Sequence, residues 1–142
     1  MKLSKKAIIS WAAVLLCMAV IFVLSAQKGG DSQSLSDSLI IISGLELSSG
    51  FVRACAHFLE YSGLAVLIYN ALFQTCGNAK PVLSVIISSA YAVTDEIHQL
   101  FVEGRACQIT DIMIDTLGAA AGIAVLTVLI IIYRKIKRRK QV

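Results

Sequence analysis

Charged residues are scarce in this chain. Only 15% of its 142 residues are Asp, Glu, Lys or Arg, whereas 57% are hydrophobic. A soluble domain usually carries about 25% charged residues, and a domain this small cannot hide so much apolar surface from water. The composition therefore excludes the soluble globular, disordered, collagen-like and nucleic-acid-binding classes, and it indicates a protein of the lipid bilayer.

Sequence motifs that would identify a chemistry are also missing. The chain contains no P-loop, nucleophile elbow or zinc signature, and its four cysteines form no C-x-x-C pair. Cys55 and Cys107 are expected on the same side of the membrane and could form a disulfide, although nothing else supports that pairing. We expect no cofactor.

Four apolar runs are long enough to cross about 30 Å of hydrocarbon. They predict an all-α, four-helix transmembrane bundle in a single domain of residues 1–142. The predicted spans are residues 7–26, 51–73, 81–101 and 111–133, followed by a basic tail at 134–142. Pro81 suits the first turn of the third span, where no backbone donor is needed. The second and third spans have lower hydropathy than the other two, because each ionisable residue costs about 2.5–3.5 kcal/mol at mid-helix.

Two segments near the first span need separate interpretation. In the loop before the second span, Leu35, Leu39, Ile42 and Leu45 recur at helical spacing and predict a short interfacial helix on the outer side. The first span could instead be a cleaved signal peptide, because Leu24-Ser-Ala passes as a small-residue cleavage site. Its apolar region is longer than the usual 7–15 residues, which favours a retained helix.

Lysine and arginine concentrate at the two ends of the chain. Nine of the 13 lie within residues 2–6 and 134–140, and Lys80 lies in the short turn between the second and third spans. The positive-inside rule places all three positions in the cytoplasm. The sequence therefore predicts a multi-pass protein of the cytoplasmic membrane with both termini in the cytoplasm.

Three spans each carry a stripe of polar residues. These groups cannot face lipid without a large cost, so the stripes are expected to face one another near the outer surface, joined by Arg105 from the loop between spans three and four. The predicted polar pocket consists of Arg53, His57, Glu60, Tyr61, Asp95, Glu96, His98, Gln99, Arg105, Asp111 and Asp115. Two arginines against five carboxylates leave an excess of negative charge, so some carboxylates should be protonated or a cation should be present.

The connection into the fourth span and the start of that span have recognisable local signals. Gly104 predicts a turn, and Thr110 is expected to cap a helix that begins at Asp111, whose charge suits the helix dipole. Further along, Gly118 and Gly122 form a GxxxG face, which predicts close helix packing.

Two of these motifs resemble a known family. YAVTDEIHQLFVEGR at residues 91–105, followed by DIMIDTLGAAAG at 111–122, looks like the signature of the VanZ-like family. RACAHFLEY at 53–61 is similar to its R-x-x-x-H-x-x-E-Y element, and residues 24–27 resemble the Ser-x-Gln that closes its first helix. The likeness covers about residues 7–130. Glu103 departs from the family, in which proline often precedes the Gly-Arg pair.

The resemblance implies a small multi-span bacterial membrane protein of the cell envelope. The founding member of the family is linked to low-level resistance to teicoplanin, a lipid-tailed glycopeptide antibiotic, and the family name implies no reaction. Arg53 and Arg105 could hold a phosphate or carboxylate, so the first hypothesis is binding of a membrane lipid or a lipid-linked cell-wall precursor. Nucleic acid is not an expected partner.

Three alternatives remain open. The protein could be a membrane-embedded enzyme acting on a phospholipid or lipid-linked cell-wall intermediate. His57 with Glu60, or Asp95 with Glu96 and His98, would supply the acid and base, and a metal held by these groups is a subsidiary form. Transport fits least, because four spans show no discontinuous-helix repeat. The polar residues could also serve only to join the helices, but so many on one side exceed that need.

Overall fold

The computed structural model describes residues 4–27, 30, 34, 37–38, 40–41 and 48–140. Four helices make up most of these residues: α1 (Lys5–Ser25), α2 (Ser49–Cys76), α3 (Pro81–Gln99) and α4 (Ile109–Arg139). The described residues contain no β-strand. The prediction of an all-α, four-helix architecture is therefore confirmed.

Local sequence signals explain most helix ends. The hydroxyl of Ser4 accepts a hydrogen bond from the backbone N–H of Ala7 and caps α1, and Ser48 caps α2 in the same way. Gly77 ends α2 in the left-handed conformation, with φ of 71°. Pro81 opens α3, as the sequence predicts.

The fourth helix differs from the prediction at both ends. It begins at Ile109 with Gln108 as the N-cap residue, so the expected cap by Thr110 is wrong, although Asp111 does lie in the first turn. The helix also continues to Arg139, through most of the predicted basic tail. Hydropathy detects only the end of the apolar run at Tyr133, whereas arginine, lysine and isoleucine continue a helix, and basic groups suit its C-terminal end.

The predicted interfacial helix lies mostly outside the described residues. Within residues 35–45 only positions 37, 38, 40 and 41 are described, and these have helical conformation. The Ser38 hydroxyl donates to the carbonyl of Ser34, four residues earlier, as in a helical turn.

Helix α2 packs against the other three helices and is the centre of the bundle. Helix α4 contacts α2 and α3, α1 contacts mainly α2, and α1 and α4 make no close contact in the described part of the chain. The α2–α4 contact confirms the GxxxG prediction. A Cβ on Gly118 would lie 3.0 Å from Cα of Phe58, and one on Gly122 would lie 2.7 Å from the Ser62 carbonyl oxygen, so only glycine allows this approach.

Three helices, α1, α2 and α4, are long and apolar enough to cross a membrane. Helix α3 is below that level by composition, because its buried side carries the polar residues Ser84, Ser88, Asp95, Glu96 and Gln99. Its exposed side is apolar along its length, with Val82, Ile86, Val93 and Ile97. A helix that is polar inside and apolar outside suits a lipid environment, and mean hydropathy cannot show this arrangement.

The interior has two halves of different character. The apolar half surrounds Val14, Leu64, Ile68, Ala71 and Leu72, all of which are buried. The polar half lies at the end where α1 and α3 finish and α2 and α4 begin. Its buried residues are Ser25, His57, Asp95, Glu96, Gln99 and Asp115.

Candidate functional site

Asp95 connects the ends of α1 and α3 in the polar half. The Ser25 hydroxyl donates to Asp95 Oδ1 at 2.6 Å, and the Gln99 side-chain amide lies 3.4 Å from Asp95 Oδ2. All three side chains are buried. Both carboxylate oxygens of Asp95 therefore accept hydrogen bonds within the bundle, and this residue links the end of α1 to the end of α3.

His57 and Asp115 form a buried pair between α2 and α4. Nδ1 of His57 lies 3.2 Å from Oδ1 of Asp115, and the imidazole donates this hydrogen bond when the proton is on Nδ1. The second oxygen, Oδ2, is buried and has no hydrogen-bond partner in the described part of the chain. Glu60 on the same face of α2 is half-buried and interacts electrostatically with His57, Asp115 and Asp95.

The loop between α3 and α4 is held against the bundle at two points. The backbone N–H of Gln108 donates to Oε2 of Glu96 at 2.8 Å, and Nε of Arg105 donates to the carbonyl of Gln27 at 3.2 Å. Gly104 has φ of 76°, which confirms the predicted turn. These contacts fix the position of Arg105 over the end of the bundle.

A cavity of about 210 Å³ lies beneath this loop. Its lining residues are Arg53, Gln99, Gly104, Arg105, Ala106, Gln108 and Asp111. Burial, with a smaller contribution from the nearby positive charge of Arg53, lowers the pKa of the Arg105 guanidinium, which nevertheless stays protonated in proteins. Among the described residues, no carboxylate lies within salt-bridge distance of Arg53 or Arg105. The cavity thus has two guanidinium groups in its wall.

The predicted pocket residues take three different positions. Arg53, Gln99, Arg105 and Asp111 line the cavity, and His57, Asp95, Glu96 and Asp115 are buried in the bundle interior. Glu60 is half-buried on the face of α2 that carries His57 and does not line the cavity. Tyr61 is also buried, its ring 6.2 Å from that of Tyr91, and His98 stacks on Phe22 of α1 with ring centroids 4.2 Å apart. Neither Tyr61 nor His98 lines the cavity.

Sequence reasoning missed three residues that shape this region. They are Ser25, which binds Asp95, and Gln27 and Gln108, whose backbones hold Arg105 and Glu96. The Ser-x-Gln resemblance at residues 25–27 was a usable signal for two of them. Gln108 gave no signal, because its role lies in its backbone N–H.

The positions of the side chains show whether a metal site or a disulfide could form among the described residues. Within residues 4–27 and 48–140, no three His, Cys, Asp or Glu side chains group closely enough to hold a metal ion. All four cysteines are free, so Cys55 and Cys107 form no disulfide. The two guanidinium groups of the cavity have the geometry to hold a phosphate or carboxylate with two parallel hydrogen bonds, and the carboxylate of Asp111 shares the same lining.

The sequence profile of the VanZ/LLP1 family matches residues 10–132 of the chain. No curated protein and no solved structure matches it. The matched region begins within α1 and ends within α4, so it contains α2 and α3, most of α1 and α4, and every residue that lines the cavity.

Proposed function

The chain belongs to the VanZ/LLP1 family of membrane proteins, and we propose that it binds the anionic head group of an outer-leaflet lipid or a lipid-linked cell-envelope molecule. One observation carries this proposal: Arg53 from α2 and Arg105 from the loop line the same cavity. The lining also holds the carboxylate of Asp111, but it pairs with neither guanidinium among the described residues, so a bound phosphate or carboxylate could bridge the two arginines and relieve their mutual repulsion.

The size of the cavity limits what can enter it. Pockets that enclose drug-sized ligands measure about 300–1,000 Å³, whereas this cavity measures about 210 Å³. It can therefore take a phosphate-bearing head group but not a whole lipoglycopeptide. In this proposal the protein affects teicoplanin susceptibility through a lipid-linked wall precursor rather than by enclosing the antibiotic.

The orientation is part of the proposal. The distribution of lysine and arginine supports a location in the bacterial cytoplasmic membrane with both termini in the cytoplasm. The cavity lies at the opposite end of the bundle from the basic end of α4, so it would open towards the outer leaflet.

The binding test compares two arginine variants with the unaltered protein. Phosphatidylglycerol and phosphatidylcholine are offered at equal amounts to the purified protein, and retained lipid is counted by native mass spectrometry. Arg53→Ala and Arg105→Ala should each reduce phosphatidylglycerol retention about tenfold, because each removes a charged hydrogen bond worth about 1.5–3 kcal/mol. Arg53→Lys should restore only part of it, because lysine lacks the planar fork.

Arg134→Ala provides the matched control, since Arg134 is exposed at the other end of α4. Its phosphatidylglycerol retention should equal that of the unaltered protein. In a host where the parent protein alters teicoplanin susceptibility, the two cavity variants should abolish that effect at matched expression. Unchanged retention and unchanged susceptibility in both arginine variants would contradict the proposal.

The His57–Asp115 pair favours a second candidate, an enzyme acting on such a lipid. A carboxylate that orients an imidazole is the usual support of a general base, and Glu60 lies on the same helix face. Mass spectrometry of phosphatidylglycerol after prolonged incubation tests this candidate. A product that forms with the unaltered protein and not with His57→Gln would favour catalysis. Lipid that stays chemically unchanged would contradict catalysis, and lipid binding would be the remaining candidate function.

A further inference from the structure

The wall of the arginine-lined cavity contains one charged group that phosphate binding by two arginines does not use, the carboxylate of Asp111. Asp111 lies in the first turn of α4, is half-buried and lines the cavity together with Arg53 and Arg105. It interacts electrostatically with Arg105, yet within residues 4–27 and 48–140 it forms a salt bridge with neither arginine. A negatively charged acceptor therefore stands beside the two cations.

The Asp111 carboxylate keeps most of its capacity to accept hydrogen bonds. A carboxylate offers about four acceptor positions on its two oxygens. The described residues place one side-chain donor on it, the Thr110 hydroxyl, which lies 3.5 Å from Oδ1 and is long for a bond between two oxygens. A ligand that enters the cavity thus meets a strong acceptor as well as the two guanidinium donors.

The charges around the cavity narrow the ligand further. Two guanidinium groups and one carboxylate leave one net positive charge in the lining, which a phosphodiester with its single negative charge balances. A second negative charge on the ligand would be repelled by Asp111, and an ammonium group would leave the positive charge of the lining uncompensated. An apolar substituent would bury the carboxylate without a partner, which costs free energy. A neutral hydroxyl beside the phosphate avoids all three penalties.

We propose that Asp111 determines specificity by accepting a hydrogen bond from a hydroxyl group next to the phosphate that Arg53 and Arg105 hold. The inference rests on the proposed function and narrows its ligand from any anionic lipid to one with a hydroxyl-bearing phosphodiester head group, such as phosphoglycerol. A carboxylate in an anion site lowers affinity for anions in general. It gains specificity in exchange, because a head group without a donor leaves it unpaired.

Phosphatidylmethanol is the probe that isolates the contribution of the hydroxyl. It is a phosphodiester with the same charge as phosphatidylglycerol, but a methyl group replaces the glycerol that carries the hydroxyls. The two lipids, with identical acyl chains, are offered in equal amounts to the purified protein, and retained lipid is counted by native mass spectrometry. The unaltered protein should retain phosphatidylglycerol about tenfold more than phosphatidylmethanol, which is the effect of one hydrogen bond to a charged acceptor.

Two substitutions of Asp111 distinguish recognition from folding. Asp111→Ala should remove the preference for phosphatidylglycerol. It should also raise retention of phosphatidylmethanol at least about threefold, because the lining then has two positive charges and no negative one. A misfolded variant cannot produce this gain. Asp111→Asn keeps one acceptor oxygen without the charge, so it should keep part of the preference.

Asp37→Asn is the matched control. Asp37 is exposed and does not line the cavity. It lies at the same end of the bundle, because its Oδ1 accepts a hydrogen bond at 2.7 Å from the hydroxyl of Ser49, the first residue of α2. The exchange removes the same charge as Asp111→Asn, so it measures the effect of net charge alone. It should leave the preference between the two lipids unchanged.

The outcomes separate the role of Asp111 from the proposed function. Equal retention of the two lipids by the unaltered protein, with retention that still depends on Arg53 and Arg105, overturns the role of Asp111 but leaves head-group binding intact. A preference that survives Asp111→Ala, or that Asp37→Asn removes as well, also overturns it, as does an Asp111→Ala variant that retains less of both lipids. Loss of the arginine dependence overturns the proposed function itself.

Discussion

The two halves of the bundle are built from the same four helices but differ in what their interiors contain. In the apolar half, Leu64, Ile68 and Leu72 pack the helices, and hydrogen bonds such as Trp11 to Thr75 join them near the surface. In the polar half, the interior contains the His57–Asp115 pair and the hydrogen bond from Ser25 to Asp95. The apolar half therefore shows that this bundle can pack without buried charge.

This difference indicates why the polar half contains buried ionisable groups. Polar pairs between membrane helices contribute only about 0.6 kcal/mol on average, so helix association does not require them. Two carboxylate oxygens, Oδ2 of Asp115 and Oε1 of Glu96, are buried without a hydrogen-bond partner in the described part of the chain, which costs stability. Ionisable groups kept at such a cost in a membrane are a mark of function.

Removing one member of the buried pair should have the largest effect on stability. His57→Leu leaves the Asp115 carboxyl group buried with neither oxygen paired, so it should lower the free energy of unfolding by about 3–5 kcal/mol. Reversible unfolding in mixed detergent micelles measures this loss.

The double variant His57→Leu with Asp115→Leu makes that part of the polar half resemble the apolar half. Apolar replacement of both partners of a buried pair is often neutral or stabilising, so the double variant should recover most of the stability lost in the single one. A double variant as unstable as His57→Leu would show that the pair is needed for packing. That result would contradict the inference that the polar half keeps its ionisable groups for function.

Alanine substitutions at two glycines test the contact between α2 and α4 at the boundary of the two halves. Gly118→Ala places a Cβ against the Phe58 backbone and should lower the free energy of unfolding by about 1–3 kcal/mol. Gly63→Ala on α2 has nothing within 4 Å and should be neutral or stabilising, because alanine favours helix. Equal thermal stability of the two variants would contradict the close α2–α4 contact.

Sequence patterns predicted the apolar half better than the polar half. Apolar runs, Pro81 and the Gly118–Gly122 face identified four helices and one contact, because hydropathy and local sterics act within a short stretch of chain. The end of α4 was misplaced by six residues, since the apolar run stops at Tyr133 and the helix continues to Arg139. Hydropathy reports burial in lipid rather than helical backbone.

The polar half depends on contacts between distant residues. Helical periodicity correctly put Asp95 and Gln99 on one buried face, but it could not show that Ser25 would satisfy Asp95 from another helix. The start of α4 follows from the Glu96 carboxylate accepting the Gln108 N–H rather than from a Thr110 cap. His98 lies three residues after Asp95, about 60° around α3, and it also faces α1, where its ring packs on Phe22 rather than lining the cavity.

The most direct test of the central claim is a crystal structure grown from a lipid phase that contains phosphatidylglycerol. Head-group binding predicts phosphate density in the cavity, with oxygens about 2.7–3.2 Å from the guanidinium groups of both Arg53 and Arg105. A cavity that holds only water while lipid is resolved elsewhere on the protein, with both arginines bonded to carboxylates, would contradict the account.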